Sequence, residues 1–171
     1  MRNEISLNEY LSKLWADFDD STLISPNKNG EKQKGKIDKS EHEFEKENLV
    51  EFVKSNSISI NDLFLAGLSL TLNKFNFSNE TLIFNQNNVP FATKFENREI
   101  SIKEFLQKIH ENYNLTLGFD EFVNEENLLL KPEFYYTFDD NLKSDLQYSN
   151  YLSIVENNKT VSLFLFYNSE L

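Results

Sequence analysis

His42 and His110 are the only imidazoles in the chain, and there is no cysteine. Thiolate catalysis, disulfides and zinc–thiolate sites are therefore excluded. His110 falls at the edge of an apolar helical stripe, and His42 stands among Glu41, Glu43 and Glu45 at a strand edge. Neither has a nucleophile beside it with which to form a catalytic pair, so both read as surface or boundary residues. Carboxylates cluster at Asp120, Glu121, Glu125 and Glu126, and again at Asp139, Asp140 and Asp145. Paired carboxylates can do acid–base work or hold a hard cation, but the ligand spacing of a calcium loop is missing. They read as solvated loops, and no metal site is expected. Asn85, Gln86, Asn87 and Asn88 bring together side-chain amides that can hydrogen-bond a substrate amide in a cleft; the plainer reading is a polar strand end. With four glycines in all, the chain holds no Gly-x-Ser-x-Gly elbow, glycine-rich phosphate loop or His-Glu-x-x-His, which argues against a self-contained hydrolase or nucleotide enzyme.

The elements that must position these residues are organised around residues 57–75. Leu63, Phe64, Leu65, Ala66, Leu68, Leu70 and Leu72 make this helix apolar on nearly every side, so it is expected to be covered from several directions. Ser59 and Asp62 mark its start as a capping box does, and Asn76, Ser78 and Asn79 mark its end. Gly67 in its middle costs roughly 1 kcal/mol relative to alanine, and close approach of another backbone is the expected reason for it. Ser6 and Glu9 repeat the capping pattern before Leu7, Tyr10, Leu11 and Leu14, giving an amphipathic helix to about Phe18. Residues 25–41 hold almost nothing apolar and read as a mobile loop, with a strand emerging near 36–44. Leu49, Val50, Phe52 and Val53 predict a short helix.

Beyond the central helix, residues 80–84 form a compact apolar run suited to a strand buried on both faces. Ser101 and Glu104 make a third capping box, followed by the stripe Ile102, Phe105, Leu106, Ile109 and Tyr113. A further apolar group, Phe119, Phe122, Val123 and residues 128–130, precedes a strand at 133–138. Residues 151–155 and 160–167 form an antiparallel hairpin, with Asn157 and Asn158 suited to positive φ in its turn. Val161, Leu163 and Leu165 face one way and Phe164 and Phe166 the other, which makes the last strand an interior or helix-covered one. Interleaving of this kind gives one α/β domain, a two-layer sandwich of a mixed sheet with helices packed on it.

A chain of 171 residues is normal for one domain with a real core. Sixteen phenylalanines and seven tyrosines supply the burial, and the formal charge of −11 repels phosphate backbones and anionic lipid. Neither nucleic acid nor a membrane surface is an expected partner. No apolar run approaches the roughly 20 residues a bilayer needs, and no signal segment opens the chain, so a soluble cytoplasmic protein is expected.

Five stretches, in this order, resemble the C-terminal half of a condensation domain of non-ribosomal peptide synthetases, within the superfamily of chloramphenicol acetyltransferase-like, CoA-dependent acyltransferases. Tyr10, Leu14 and Trp15 lie in a helix similar to the family's tyrosine-tryptophan-x-x-x-leucine helix. Residues 57–75 resemble its threonine-x-asparagine-x-leucine-leucine-x-alanine helix. Asn87, Asn88, Val89, Pro90 and Phe91 are similar to asparagine-threonine-leucine-proline-leucine. Phe119, Asp120 and Val123 match the proline-phenylalanine-glutamate-x-leucine-valine motif, with Gly118 in place of proline. Residues 151–155 and 161–171 resemble the closing strands and their tyrosine-asparagine-x-x-leucine.

The resemblance implies a lobe that shapes a channel for amide-bond formation between substrates on carrier proteins, with Asn87 and Asn88 lining it. It implies an N-terminal lobe and peptidyl carrier proteins as partners, and no directly bound cofactor, since the phosphopantetheine is carried by those partners. The family's His-His-x-x-x-Asp-Gly is absent, as is the glycine-arginine turn before the asparagine motif, and the chain stops before the family's last helix. The isolated chain is therefore expected to be inactive, a fragment of a condensation enzyme with an exposed apolar patch at the missing joint. The alternative is a non-catalytic, degenerate condensation-like interaction module. A third reading, a trimeric acetyltransferase-like assembly with sites between subunits, is disfavoured by the missing histidine.

Overall fold

The computed structural model describes residues 5–18, 37–76, 79–85, 87, 89–94, 100–119, 134–138 and 150–168. In chain order these form α1 (Leu7–Asp17), β1 (Ile37–Glu45), α2 (Lys46–Asn56), α3 (Ile60–Asn76), β2 (Glu80–Phe84), β3 (Pro90–Lys94), α4 (Ile102–Leu117), β4 (Phe134–Thr137), β5 (Asn150–Glu156) and β6 (Thr160–Asn168). The strands make one sheet in the order β1-β6-β5-β4-β2-β3. β2, β4 and β5 run parallel, whereas β1, β6 and β3 pair antiparallel with their neighbours. The sheet is mixed, as expected, and β6 lies inside it between β1 and β5.

Strand alternation sends side chains to two faces. On one, Ile83, Phe91, Tyr136, Leu152, Ile154 and Val161 meet Leu65, Ala66 and Leu72 of α3 and Phe105, Leu106 and Ile109 of α4 in the main core. On the other, Leu82, Phe84 and Tyr135 pack against Leu14, Trp15 and Phe18. α1 thus covers the opposite face over β2 and β4, so the two-layer core has a third layer there. Every side chain of β2 and of β4 is buried.

The expected caps form. Ser59 Oγ accepts from Asp62 N at 3.1 Å while Asp62 Oδ2 accepts from Ser59 N at 2.7 Å, and Ser101 and Glu104 reciprocate in the same way at the start of α4. Ser6 Oγ accepts from Glu9 N at 3.3 Å. α3 follows α2 through Ser57, whose φ of 56° is the only positive one among the described non-glycine residues. Its N–H donates back to Val53 and Lys54 carbonyls, and Ile58 N donates to Val53 O at 3.1 Å, closing α2 in the left-handed manner.

Several expectations are corrected. The strand expected near 36–44 is β1, which pairs along its whole length with β6 and so takes residues 37–41 out of the expected loop; the Phe44 and Phe64 rings meet at a tilt with centroids 5.3 Å apart. Residues 25–36 of that expected loop lie outside the described residues, as do 122–133 with their apolar group. Asn157 and Asn158 turn without positive φ, because Asn157 N reaches Thr160 O at 2.8 Å in a turn that closes through ordinary conformations. α3 is not wrapped on all sides: Leu65, Ala66, Ser69 and Leu72 are buried, but Gly67 and Leu70 are exposed. No backbone approaches Gly67, where a Cβ meets no atom within 4 Å.

The glycine at position 67 is then a simple propensity deficit. Gly67→Ala is expected to stabilise the protein by about 0.5–1 kcal/mol, seen as a rise in Tm of about 1–4 °C. A fall in Tm would show that another backbone does lie against that face.

Candidate functional site

Where β2 ends, Asn85 is buried and organises the link to β3. Its Oδ1 accepts from Asn87 N at 2.9 Å and Val89 N at 3.0 Å, and its own N–H donates to Val89 O at 3.1 Å. Such self-bonding through a short amide side chain is what makes asparagine a turn residue. α1 holds the turn from outside: Tyr10 OH donates to Pro90 O at 2.8 Å, Leu11 packs on the fully buried Val89, and the Tyr10 and Phe119 rings stand 5.2 Å apart. Burial pushes the Tyr10 phenol far above its ordinary pKa. Asn87 is half-buried in this turn. Asn88 and Gln86 lie outside the described residues, as do the carboxylates at 120–126 and 139–145. Among the described residues no group of His, Asp or Glu side chains is arranged to hold a metal ion.

A second polar cluster, which the sequence did not reveal as one, surrounds Asp62. This carboxylate is 1% exposed. Beyond its cap bonds it accepts from Ser59 Oγ at 2.7 Å and meets His110 Nδ1 at 2.7 Å. An ionised carboxylate only accepts, so Nδ1 is the donor in this contact. Asn114 Nδ2 lies 3.0 Å from Nε2 on the next turn of α4. Both ring nitrogens are engaged, and the Ser59 hydroxyl points to the carboxylate rather than the imidazole. The arrangement ties the start of α3 to the middle of α4 and orders the ring; it does not assemble a nucleophile and base. His42 lies exposed on β1, its ring against Phe44.

Tyrosines close the cluster from below. Tyr136 OH donates to Asn61 O at 3.0 Å, and the Tyr113 ring stands edge-on to both Tyr136 and Phe91. Burial first, and then the Asp62 charge, push the Tyr113 phenol up to about 12. Tyr136 is raised well above 10 by burial, then by Tyr113 and Asp62.

α3 runs opposite to β2. Its second half lies against the start of β2, where Thr81 donates to Ser69 O at 3.3 Å, and its first turn meets the end of β4 through Asn61. The Asp62 cluster and the Asn85 turn therefore sit at the same end of the sheet, the carboxyl end of parallel strands β2 and β4. Ligand crevices of open α/β sheets form outside that end.

No protein-family model matches the sequence, and no curated protein does. Solved structures do. The chain is similar to the epimerization domain from the third module of tyrocidine synthetase B, with a TM-score of 0.68 and 15% identity over 95% of this chain and 49% of that one. It is similar to the first condensation domain of the calcium-dependent antibiotic synthetase, with a TM-score of 0.68 and 9% identity over 96% of this chain and 47% of that one. VibH, an NRPS condensation enzyme, gives a TM-score of 0.62 and 12% identity over 95% of this chain and 48% of that one. The chain spans about half the length of these structures, and what it shares with them is the fold.

Two outcomes follow from the cluster. Asp62→Ala removes a cap and leaves Ser59 and His110 unpaired, and is expected to cost about 2–3 kcal/mol in urea unfolding. His110→Ala, which loses a partly exposed partner, should cost about 1 kcal/mol or less. Equal losses would mean that the contact between the helices, and not the cap, dominates. Tyr113 and Tyr136 bear on alkaline stability. The unfolded chain ionises its phenols near 10, while the folded chain keeps these two neutral to higher pH. Their contribution is complete below 10 and is lost as pH rises toward the folded values. Unfolding midpoints measured across that window should fall steeply, and Tyr113→Phe should flatten the fall; an unchanged slope would contradict the assignment.

Proposed function

We propose that this chain is the C-terminal lobe of a condensation-type domain, and that its function is to form one wall of a channel in which carrier-bound acyl and aminoacyl groups are joined. One observation carries this reading: nearly the whole chain matches about half the length of condensation and epimerization domains, and its motifs follow the order of the C-terminal half. The opposite wall comes from an N-terminal lobe bearing His-His-x-x-x-Asp-Gly. Peptidyl carrier proteins bring the substrates on phosphopantetheine, so the lobe needs no cofactor of its own.

Asn87, with Asn88, is the polar contribution to the channel wall. Support for this comes from the place of the turn at the carboxyl end of β2 and β4, and from the fixing of Asn87 N by the buried Asn85 side chain. Chemistry by the lobe alone is not expected. His110 has both ring nitrogens engaged, His42 lies exposed against Phe44, and the catalytic histidine motif is not in this chain. The same observation favours the second reading, a docking module that kept the lobe and lost the reaction.

An assay of amide-bond formation with substrates loaded on carrier proteins separates these. The isolated chain is expected to give no product above the uncatalysed rate, and turnover would refute the assignment of the base to another lobe. An upstream His-His-x-x-x-Asp-Gly in the encoding reading frame supports the enzyme lobe; a frame without it supports the module.

A further inference from the structure

α1 lies against both stems of the Asn85 turn. Leu7, Tyr10, Leu11, Leu14 and Trp15 recur at helical spacing and so share one face of the helix. Through Leu14 and Trp15 that face packs with Phe84, the last residue of β2 before the turn. Through Leu11 it packs on Val89, which is fully buried and stands immediately before β3. One apolar surface thus meets the chain where it enters the turn and where it leaves.

The polar tie is at the edge of the sheet. Asn85 N donates to Val89 O across the turn, so the Val89 carbonyl faces β2, and the alternation of an antiparallel ladder turns the next carbonyl, that of Pro90, away from it. β3 ends the sheet, so no strand of the sheet takes that carbonyl, and proline has no N–H to offer. Tyr10 OH donates to Pro90 O at 2.8 Å. Burial holds the phenol far above its ordinary pKa, so the hydroxyl keeps its proton and stays a donor. Within the turn, Asn87 N and Val89 N donate to Asn85 Oδ1. These bonds shape the turn from inside, and α1 holds it from outside.

We propose that α1 is a strap on this turn, that the two open and close as one unit with the Tyr10 hydroxyl as their fastening, and that the order of Asn87 is set by whether α1 is docked on the sheet. Proteins open in cooperative units, each with its own free energy, and undocking one helix leaves the ladder bonds of β2 and β4 intact. Tyr10 is then a positioning residue that acts on Asn87 through Pro90 and Val89. The inference concerns the turn itself and does not depend on the channel-wall reading.

Amide hydrogen exchange of the whole chain, followed residue by residue in the parent and in Tyr10→Phe, tests it. The variant keeps the ring in its apolar contacts and removes only the donor. In the parent, the amides of residues 11–14 and those of Asn87 and Val89 are expected to share one opening free energy, smaller than that of β2 and β4. In Tyr10→Phe both groups are expected to exchange roughly 3- to 10-fold faster, by the same factor. Three results would overturn the proposal: Asn87 and Val89 amides that keep their parental rates in the variant, turn and helix amides with unequal opening free energies in the parent, or turn amides that exchange only as slowly as those of β2 and β4.

Discussion

The structure depends on strands that have no wet face. All five side chains of β2 and all four of β4 are buried, so the sheet must be covered from both sides where these strands lie side by side. α3 and α4 do this on one face with Leu65, Leu72, Phe105 and Ile109, and α1 does it on the other with Leu14 and Trp15. Each fully buried large side chain is worth about 1.5–3 kcal/mol, so these two strands concentrate the apolar stabilisation. Away from them β1 runs along the edge with Glu41, Glu43 and Glu45 exposed, charges that discourage pairing with another chain.

The caps connect this packing to the polar cluster. At the start of α3, over the end of β4, the buried Asp62 carboxylate accepts from Ser59 N while Ser59 Oγ accepts from Asp62 N. A carboxylate buried there needs a second partner, and His110 supplies it from α4. The tyrosines beneath shape the same place from the strand side. The cluster is thus a consequence of the two-sided burial, and it fixes the angle between α3 and α4 at the end of the sheet where the Asn85 turn stands.

Much of this was legible in residue order. The Ser59–Asp62 and Ser101–Glu104 caps, the apolar run at 80–84 and the closing hairpin follow from local chemistry, and their succession carried the resemblance to condensation domains. The contacts that define the site were not legible. His110 and Asp62 are 48 residues apart, and no periodicity connects them. Asn85 looked like one of four equivalent amides, yet its burial alone makes it the organiser of the turn while Asn87 is held by it. Gly67 was read as a close-approach residue because the helix is apolar all round, but one flank of α3 faces outward among the described residues. The loop read over 25–41 overlapped the strand read at 36–44, and the pairing with β6 assigns the overlap to the strand.

Native-state hydrogen exchange on the isolated chain tests the central claim, that strands enclosed from both faces form the stable centre of the fold. The account predicts that amides of β2 and β4, with those of neighbouring β5, exchange only through global unfolding and are the slowest in the molecule, while β1 opens earlier. Slowest exchange in β1 and β6, or uniform fast exchange in β2 and β4, would contradict it.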